Sequence, residues 1–383
     1  MAKKENGSGS IRKRSDGRWE GRFVYTDELG AQRRKSVYGS TKTEVSRKIR
    51  EATAQVDRKQ YRDVRRCTFS QWFNEWLELY GSSWKQNTKS GYKRKGESYL
   101  IPAFGSVQLT DIRKTAIQRF VNGLSNGVYA SLAPKSVINI HGIFHKCLQQ
   151  AVDDGLISTN PADRIQLPNR VKPKMNPVMD EDIGRFIQAC DKDPFGNLYL
   201  TALFTGLRQS ELLGLKWSDI DFDAGTIHVE RQLQKLRESE GYDFVTTKNG
   251  KDRMVAFPPS LTAVLKRERN QQIINKLKAG PEWKNADDLV FTNEDGSHLV
   301  HVTVQKHFMQ FRDSLDLKCR FHDLRHSFAT LALQSGANIK AVSEMLGHYS
   351  TAFTLDVYAD VSKTMQKDVQ DKMEAMFKTV SNG

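Results

Sequence analysis

Side chains able to cut a phosphodiester bond occur in the second half of the chain. In chain order they are Arg208, Lys248, His322, Arg325, His348 and Tyr358. Cleavage without a metal needs a nucleophile, cations that neutralise the non-bridging oxygens, and an acid for the leaving oxygen. Arginine suits the second role, because its planar fork donates two hydrogen bonds to a phosphate and stays charged. These side chains together offer all three functions.

Helical patterns present the two arginines and the first histidine of this set. Arg208 lies near the start of an apolar helix, whose unpaired N–H groups also favour an anion. His322 and Arg325 are three residues apart, so they share one face of a second helix. The ordinary alternative for Arg208 is a salt bridge with Glu211 at the helix end.

A turn signal accompanies Lys248. Asn249-Gly250 lies between two strand-like segments, 244–248 and 252–255, and this pattern predicts a β-hairpin. Lys251 is close by, and lysines beside hairpin turns are usually only solvated. Lys248 therefore has both a chemical and an ordinary explanation.

The neighbours of these residues resemble the two signature boxes of the tyrosine recombinase family, the phage-type integrases. The matching phrases are Thr-Gly-Leu-Arg-x-x-Glu at 205–211, His-Asp-Leu-Arg-His-Ser-Phe-Ala-Thr at 322–330 and Leu-Gly-His-Tyr-Ser at 346–350. Six functional positions in one order are far more specific than a lone His-x-x-Arg. The resemblance covers nearly the whole chain and is strongest to the integrases of conjugative transposons. It implies a site-specific DNA recombinase that integrates and excises a mobile element.

The resemblance implies phosphate-binding roles for four of the six residues. Arg208 and Arg325 would clamp the scissile phosphate. His322 and His348 would donate hydrogen bonds to it, and His322 is also a candidate to accept the tyrosine proton.

The resemblance assigns the proton donor and the nucleophile to the other two residues. Lys248 would protonate the 5′ leaving oxygen. Tyr358 would attack phosphorus and form a 3′-phosphotyrosyl intermediate, on a pathway through a Holliday junction. Tyr349 directly follows His348 and lacks the family's spacing. Because the phosphoester is conserved, religation needs no ATP, and we expect no cofactor and no metal.

Three further residues are expected to support this site. Glu211 and Asp323 are candidates to orient the arginines. His326 is offset from Arg325 on its helix, so it is expected to be supporting structure.

Composition and turn signals divide the chain into a multidomain protein. We expect a small three-stranded β-sheet plus helix at 1–62, an all-α helical bundle at 66–168, a basic linker at 169–177, and a mainly α domain with a small β-sheet and a tail helix at 178–383. The resemblance implies that these are the arm-site DNA-binding, core-site DNA-binding and catalytic domains of the tyrosine recombinase fold.

Positive charge is concentrated in the N-terminal segment. The net charge is +14, and residues 1–65 hold 18 Lys and Arg but only 9 Asp and Glu. The candidate DNA contacts on its strands and first turn are Arg12, Arg14, Arg18, Arg22, Arg33 and Lys35. A basic sheet can enter a major groove. The alternative is a solvated, charged sheet packed on one helix.

Other classes of protein fit the composition less well. The chain has no apolar run of roughly 20 residues and no apolar stretch after its first charges, so we expect neither a membrane span nor a signal peptide. The four cysteines, Cys67, Cys147, Cys190 and Cys319, are far apart, which favours reduced thiols and a cytoplasmic location.

The resemblance also implies partners. These are double-stranded DNA with core and arm sites, a homo-tetramer on that DNA, an excisionase and a host DNA-bending protein. The helical pattern at 362–377 suggests a tail that packs either on a neighbouring protomer or on its own domain. Two rival functions remain: a catalytically silent DNA-binding regulator, and a cellular chromosome-resolution recombinase, which would lack the basic N-terminal sheet.

Overall fold

The computed structural model describes residues 10–26, 31–57, 67–170, 175–236, 241–247 and 250–347. The chain divides into two compact units, Met1–Lys172 and Pro173–Gly383. The predicted architecture is present: a small sheet with a helix and an all-helical part in the first unit, and helices with small sheets in the second. The predicted boundary at 62–66 and part of the predicted linker at 169–177 lie outside the described residues, so these limits stay a prediction.

Three antiparallel strands and one helix form the N-terminal part. They are β1 (Ser10–Lys13), β2 (Trp19–Thr26), β3 (Gln32–Gly39) and α1 (Lys42–Asp57), with the strands in chain order. The helix covers one face of the sheet, where Val45 and Ile49 pack on Phe23. Gly21 lies beneath the helix, and a Cβ at this position would be 2.4 Å from Cδ1 of Ile49. On the opposite face, which we call the open face, Val24 and Tyr38 are exposed.

Helices alone form the rest of the first unit. They are α2 (Phe69–Leu79), α3 (Gln86–Lys95), α4 (Ile101–Phe104), α5 (Lys114–Ser125) and α6 (Pro134–Asp153). A capping box begins α2, with Thr68 and Gln71 each accepting the backbone N–H of the other. The aromatic residues Phe69, Trp72, Phe73 and Trp76 of α2 are buried in the core.

The second unit combines seven helices with five short strands among its described residues. The helices are α7 (Asp180–Cys190), α8 (Gly196–Thr205), α9 (Gln209–Leu213), α10 (Pro259–Ala279), α11 (His301–Ser314), α12 (Phe321–Gln334) and α13 (Ile339–Leu346). The strands are β4 (Ile220–Asp221), β5 (Thr226–Val229), β6 (Arg231–Lys235), β7 (Tyr242–Thr246) and β8 (Arg253–Ala256). Across the described ranges, no helix combines the length and apolarity needed to cross a bilayer.

The predicted hairpin around Asn249-Gly250 is wrong. The strands on either side of this turn belong to different sheets: β7 pairs with β6, whereas β8 pairs with β5 in the order β4-β5-β8. The chain does turn here, since the Gly250 N–H donates to the Thr247 carbonyl. Pairing with β5 places Val255 in the core opposite Ile227, and this burial outweighs the local turn signal.

Candidate active site

Three of the six predicted residues lie within the described part of the chain. They are Arg208, His322 and Arg325, and the structure places them around one helix end. Lys248, His348 and Tyr358 lie outside the described residues, and their roles stay predictions.

A left-handed turn presents Arg208. Helix α8 ends at Gly206, whose φ is +64°. A Cβ at this position would lie 2.5 Å from the ring of Phe328 and 2.9 Å from Leu346, so the turn needs glycine on both counts. Arg208 then precedes the short helix α9, and its backbone N–H donates to Glu211 Oε2 over 2.9 Å.

The start of α12 presents His322 and Arg325. Arg325 is buried, and its Nη1 donates to the Gly206 carbonyl over 2.8 Å. His322 is solvent-exposed on the same helix. The guanidinium of Arg325 therefore reaches back to the turn that presents Arg208.

Asp323 binds a different arginine from the ones it was expected to orient. Its carboxylate accepts hydrogen bonds from the Arg320 backbone N–H over 2.8 Å and from the Arg320 guanidinium over 2.9 and 3.1 Å. These bonds close the N-terminus of α12. Asp323 thus fixes the helix that carries His322 and Arg325, rather than binding either catalytic arginine directly.

Three arginines bind three consecutive carbonyls where α13 ends. Nε of Arg253 donates to the Met345 carbonyl over 2.7 Å, Nη2 of Arg325 donates to the Leu346 carbonyl, and Nη2 of Arg208 donates to the Gly347 carbonyl over 3.2 Å. Carbonyls at a helix C-terminus lack partners within the helix, and its dipole favours cations there. Gly347, with φ +62°, ends the helix, and the next residue along the chain is His348. The predicted phosphate clamp thus lies against the segment that leads to His348.

Glu211 joins two of these arginines. Arg253 donates to both carboxylate oxygens, over 3.0 and 2.7 Å, and Arg208 Nη1 donates to Oε1 over 2.7 Å. Burial by itself would raise the pKa of Glu211, but the hydrogen bonds and charge of Arg253, followed by the charge of Arg208, lower it to about 2. Glu211 is therefore ionised, and its carboxylate holds the Arg208 guanidinium. The predicted orienting contact and the alternative, an ordinary salt bridge at the helix end, are the same contact.

The cluster keeps an excess of positive charge. Arg208 and Arg253 share the Glu211 carboxylate, and Arg325 adds a third guanidinium at the same end of α13. A phosphate that approached this site would meet cations already held in place, which stabilise charge without a reorganisation cost.

His322 is neutral in this environment. Although His322 is exposed to solvent, the protein atoms around its ring still desolvate it. This desolvation, together with His326, Arg325 and Arg208, lowers the pKa of His322 to about 4, against a smaller opposing effect of Asp323. Its ring is perpendicular to that of His326, with centroids 5.2 Å apart. A neutral imidazole at pH 7 can accept a proton.

Sequence reasoning missed Arg253. Its partners Glu211 and Met345 lie on two other elements, and neither is at a helical spacing from it. No local pattern marks this residue, because its position depends on the pairing of β8 with β5.

A second cluster of basic side chains surrounds a buried acid on the open face of the N-terminal sheet. Glu20 accepts from Arg12 Nε over 2.7 Å, and from Arg22 Nε and Ser36 Oγ over 3.0 Å each. The hydrogen bond from Arg12, helped by those from Arg22 and Ser36, outweighs desolvation and lowers the pKa of Glu20 to about 2. Arg12 and Arg22, both predicted DNA contacts, are thus oriented by one carboxylate.

The strand pleat separates the other predicted DNA contacts. Side chains alternate between faces, so Arg34 lies on the open face with Arg22, whereas Arg33 and Lys35 lie on the α1 face. The structure therefore does not place Arg33 and Lys35 on one surface with Arg12, and it adds Arg34, which sequence reasoning did not single out.

The last two predicted contacts lie at the β1–β2 turn. The guanidinium of Arg14 stands 5.5 Å from the ring centroid of Tyr38. Arg18 donates to Asp16 over 2.9 Å. Both side chains extend the basic surface beyond the strands.

Models of known protein families match residues in both units. The model of the phage integrase family matches residues 178–365, and that of the phage integrase N-terminal SAM-like domain matches residues 68–125. A protein named tyrosine recombinase XerC-like, from Caldanaerobacter subterraneus subsp. tengcongensis, is 29% identical over 92% of this chain and 94% of its own. The ICEBs1 integrase of Bacillus subtilis is 28% identical over 78% of this chain and 81% of its own.

Solved structures show the same fold. The Tn1549 transposon integrase, in complex with a circular intermediate DNA, has a TM-score of 0.67 at 21% identity and covers 79% of this chain and 99% of its own. A lambda integrase dimer bound to a core site has a TM-score of 0.57 at 18% identity and covers 91% of this chain and 94% of its own. The predicted fold class is confirmed.

Proposed function

Because the chain belongs to the phage integrase family and is a tyrosine site-specific recombinase, we propose that it integrates and excises a mobile element through a covalent link to Tyr358. Each strand would be cut by attack of the Tyr358 hydroxyl on phosphorus, which releases a 5′-hydroxyl and leaves a 3′-phosphotyrosyl bond. Attack by the 5′-hydroxyl of the other DNA would re-form a phosphodiester and free the tyrosine. Two rounds of exchange would pass through a Holliday junction without ATP.

The observation that carries this proposal is the meeting of Arg208 and Arg325 at the end of α13. In the free protein these guanidinium groups donate to the carbonyls of Gly347 and Leu346. These two carbonyls are neutral acceptors, and a phosphate oxygen is a stronger acceptor for a guanidinium. We propose that the scissile phosphate replaces these carbonyls and is held between the two arginines.

Proton transfers follow from the remaining residues. A tyrosine hydroxyl has an ordinary pKa near 10, so it needs a base or nearby cations to act as a nucleophile. His322 is neutral at pH 7 and would accept this proton, while the arginines would favour its transfer by stabilising the phenolate. His348 would bind the phosphate, and Lys248 would protonate the 5′ leaving oxygen.

DNA binding would use surfaces of both units. The open face of β1, β2 and β3 would bind arm sites, and the helices α2–α6 would bind core sites beside the cleavage point. One related structure is a lambda integrase tetramer bound to a Holliday junction, with a TM-score of 0.58 at 18% identity. By analogy we propose a tetramer whose contacts include the tail at 362–377, with an excisionase and a host DNA-bending protein as accessory partners.

A covalent-trapping assay tests the proposal. The protein is mixed, without metal, with nicked duplexes copied from the ends of its own element, and DNA adducts that survive boiling in detergent are measured. We expect an adduct that Tyr358→Phe abolishes while DNA affinity stays near normal, since only the nucleophilic oxygen is lost. Tyr349→Phe is the matched control and should still form it. Tight binding to the same DNA without any adduct would favour a catalytically silent DNA-binding protein.

A further inference from the structure

We propose that Arg253 is a positioning residue for strand cleavage, which holds Arg208 through Glu211 and holds the end of α13 through Met345. The inference rests on the proposed roles of Arg208 and His348. It adds a residue that those roles do not include and that does not itself touch the DNA.

Three hydrogen bonds fix the Arg253 side chain on two different elements. Nη1 and Nη2 form a bidentate pair with Glu211 on α9, and Nε donates to the Met345 carbonyl on α13. Gly347 also packs on this side chain, because a Cβ at Gly347 would lie 3.2 Å from Cδ, Nε and Nη1 of Arg253. The guanidinium is planar and rigid, so it sets the position of the α13 end relative to the Glu211 carboxylate.

The three arginines of the cluster differ in what they would lose on binding a phosphate. Arg208 and Arg325 each donate to a neutral backbone carbonyl, which an anionic phosphate can replace, and Arg208 keeps one further donor, Nη1, on Glu211. Arg253 instead gives two of its donors to a buried carboxylate, and charge-assisted bidentate bonds of this kind are the strongest hydrogen bonds in proteins. Its side chain is also less exposed than that of Arg208. Arg253 therefore stays in place while Arg208 and Arg325 turn to the DNA.

Chain connectivity gives Arg253 a third link. It is the first residue of β8, the strand that follows the turn containing Lys248. It is paired in register with Val229 of β5. One side chain thus joins the strand after Lys248, the carboxylate that orients Arg208, and the helix end that precedes His348. Misplacement of a reacting group by about 1 Å can cost about 100-fold in rate, so a small shift here would affect several groups at once.

Single-turnover cleavage of nicked core-site duplexes by the full chain tests the role of Arg253. We expect Arg253→Gln to lower the cleavage rate at saturating DNA by about 100-fold, with a change in DNA Kd of less than about threefold. Arg253→Lys keeps the charge but not the fork, and should still lose about tenfold in rate while folding normally. Equal rates for wild type and both variants, per folded molecule, would overturn the inference.

A double-mutant cycle separates positioning from general stability. Because Arg253 acts partly through Glu211, its substitution should lower the rate less in a Glu211→Gln background than in wild type, and the remaining loss would come from its bond to Met345. Arg231 is the matched control, because it binds the buried carboxylate of Asp219 in the same unit. We expect Arg231→Gln to lower the melting temperature but to leave the rate per folded molecule unchanged. Additive losses in the cycle, or the same loss of rate in Arg231→Gln, would show a merely structural role.

The wild-type protein distinguishes the two possible failures. If wild type forms no Tyr358-dependent adduct, the proposed function fails and takes this inference with it. If wild type forms the adduct and Arg253→Gln forms it equally fast, only the role of Arg253 is refuted.

Discussion

The N-terminal sheet and the candidate active site each hold two arginines on one buried glutamate, but they expose them differently. In the sheet, Glu20 binds Arg12 and Arg22, whose side chains are 64% and 49% exposed. In the active site, Glu211 binds Arg208 and Arg253, whose side chains are 22% and 10% exposed. The pKa of both glutamates is about 2, so both carboxylates are ionised.

The difference in exposure indicates different uses of the same contact. Arginines that are oriented yet exposed can reach bases or phosphates of a duplex. Because the carboxylate beneath them already restricts their orientations, they lose less conformational entropy on binding. Arginines that are largely buried and also bind a helix end act within a fixed geometry, which chemistry at one phosphorus atom requires. The sheet cluster is suited to recognition and the Glu211 cluster to catalysis.

The largest effect is expected for Glu211→Gln. The substitution leaves Arg208 and Arg253 without their carboxylate, and removing one partner of a buried ion pair costs about 3–5 kcal/mol. Cleavage should also fall by about 100-fold, because Arg208 is no longer oriented. Denaturant unfolding and the trapping assay measure the two losses.

A matched control for Glu211 is Asp219, a buried carboxylate that binds Arg231. Asp219→Asn should lower stability and leave cleavage per folded molecule unchanged. Wild-type cleavage by folded Glu211→Gln would mean that the cluster is structural, and the contrast with the sheet would fail.

A smaller effect, confined to arm-site DNA, is expected for Glu20→Gln. Loss of the carboxylate frees Arg12 and Arg22 to take many orientations, so specific affinity for arm sites should fall by about tenfold. Affinity for unrelated DNA should not fall, since a negative charge has been removed. Electrophoretic mobility shifts with arm-site and scrambled duplexes measure the ratio of specific to non-specific affinity.

The matched control here is Glu44→Gln, which makes the same charge change on α1, where Glu44 binds Lys48 and Ser40. It should leave the ratio of specific to non-specific binding unchanged. If both variants change this ratio equally, Glu20 acts only through its charge.

Candidate site residues that belong to local sequence motifs were predictable from the sequence. Those whose position depends on contacts between distant parts of the chain were not. Arg208, His322 and Arg325 stand in sequence motifs at helix starts. Spacing joined only His322 and Arg325, and the resemblance to the tyrosine recombinase family implied their grouping with Arg208. Arg253 depends on contacts with Glu211 and Met345, which no local pattern encodes. The roles of Lys248, His348 and Tyr358 stay predictions.

One structural prediction failed, and a second feature could not be read from the sequence, because tertiary contacts decide both. Asn249-Gly250 marks a chain reversal, but burial of Val255 opposite Ile227 decides which strands pair. In β3, the run Arg33-Arg34-Lys35 alternates between faces, and the packing of α1 on the sheet decides which face is open. In both cases the tertiary partner is decisive: a strand of another sheet for Val255, and the helix that follows β3 for the basic run.

A still smaller effect should separate the two faces of β3. Arg34→Ala removes a cation from the open face, so arm-site affinity should fall several-fold and the salt dependence should lose about one phosphate contact. Arg33→Ala removes the same charge from the α1 face and should change both quantities less. Titrations of arm-site DNA with each variant at several salt concentrations measure the affinity and its salt dependence. Equal losses would mean that charge, and not the face, determines binding.

The smallest effect is expected for the charges of the two clusters when the pH is lowered from about 7.5 to about 5.5. In the folded protein Glu20, Glu211 and His322 do not titrate in this range. The pKa of His322 is about 4, so its ring should stay neutral and able to accept the Tyr358 proton. In the unfolded chain the His322 ring has its ordinary pKa of about 6.5 and takes up a proton from solvent near that pH. Between these two values acid therefore favours unfolding, and His322 by itself makes stability fall as the pH falls. Imidazole resonances of selectively labelled protein, assigned with His322→Gln, report the titration. A midpoint near 6.5 would contradict the lowered pKa of His322, because the ring would then be largely protonated at the acid end of this range.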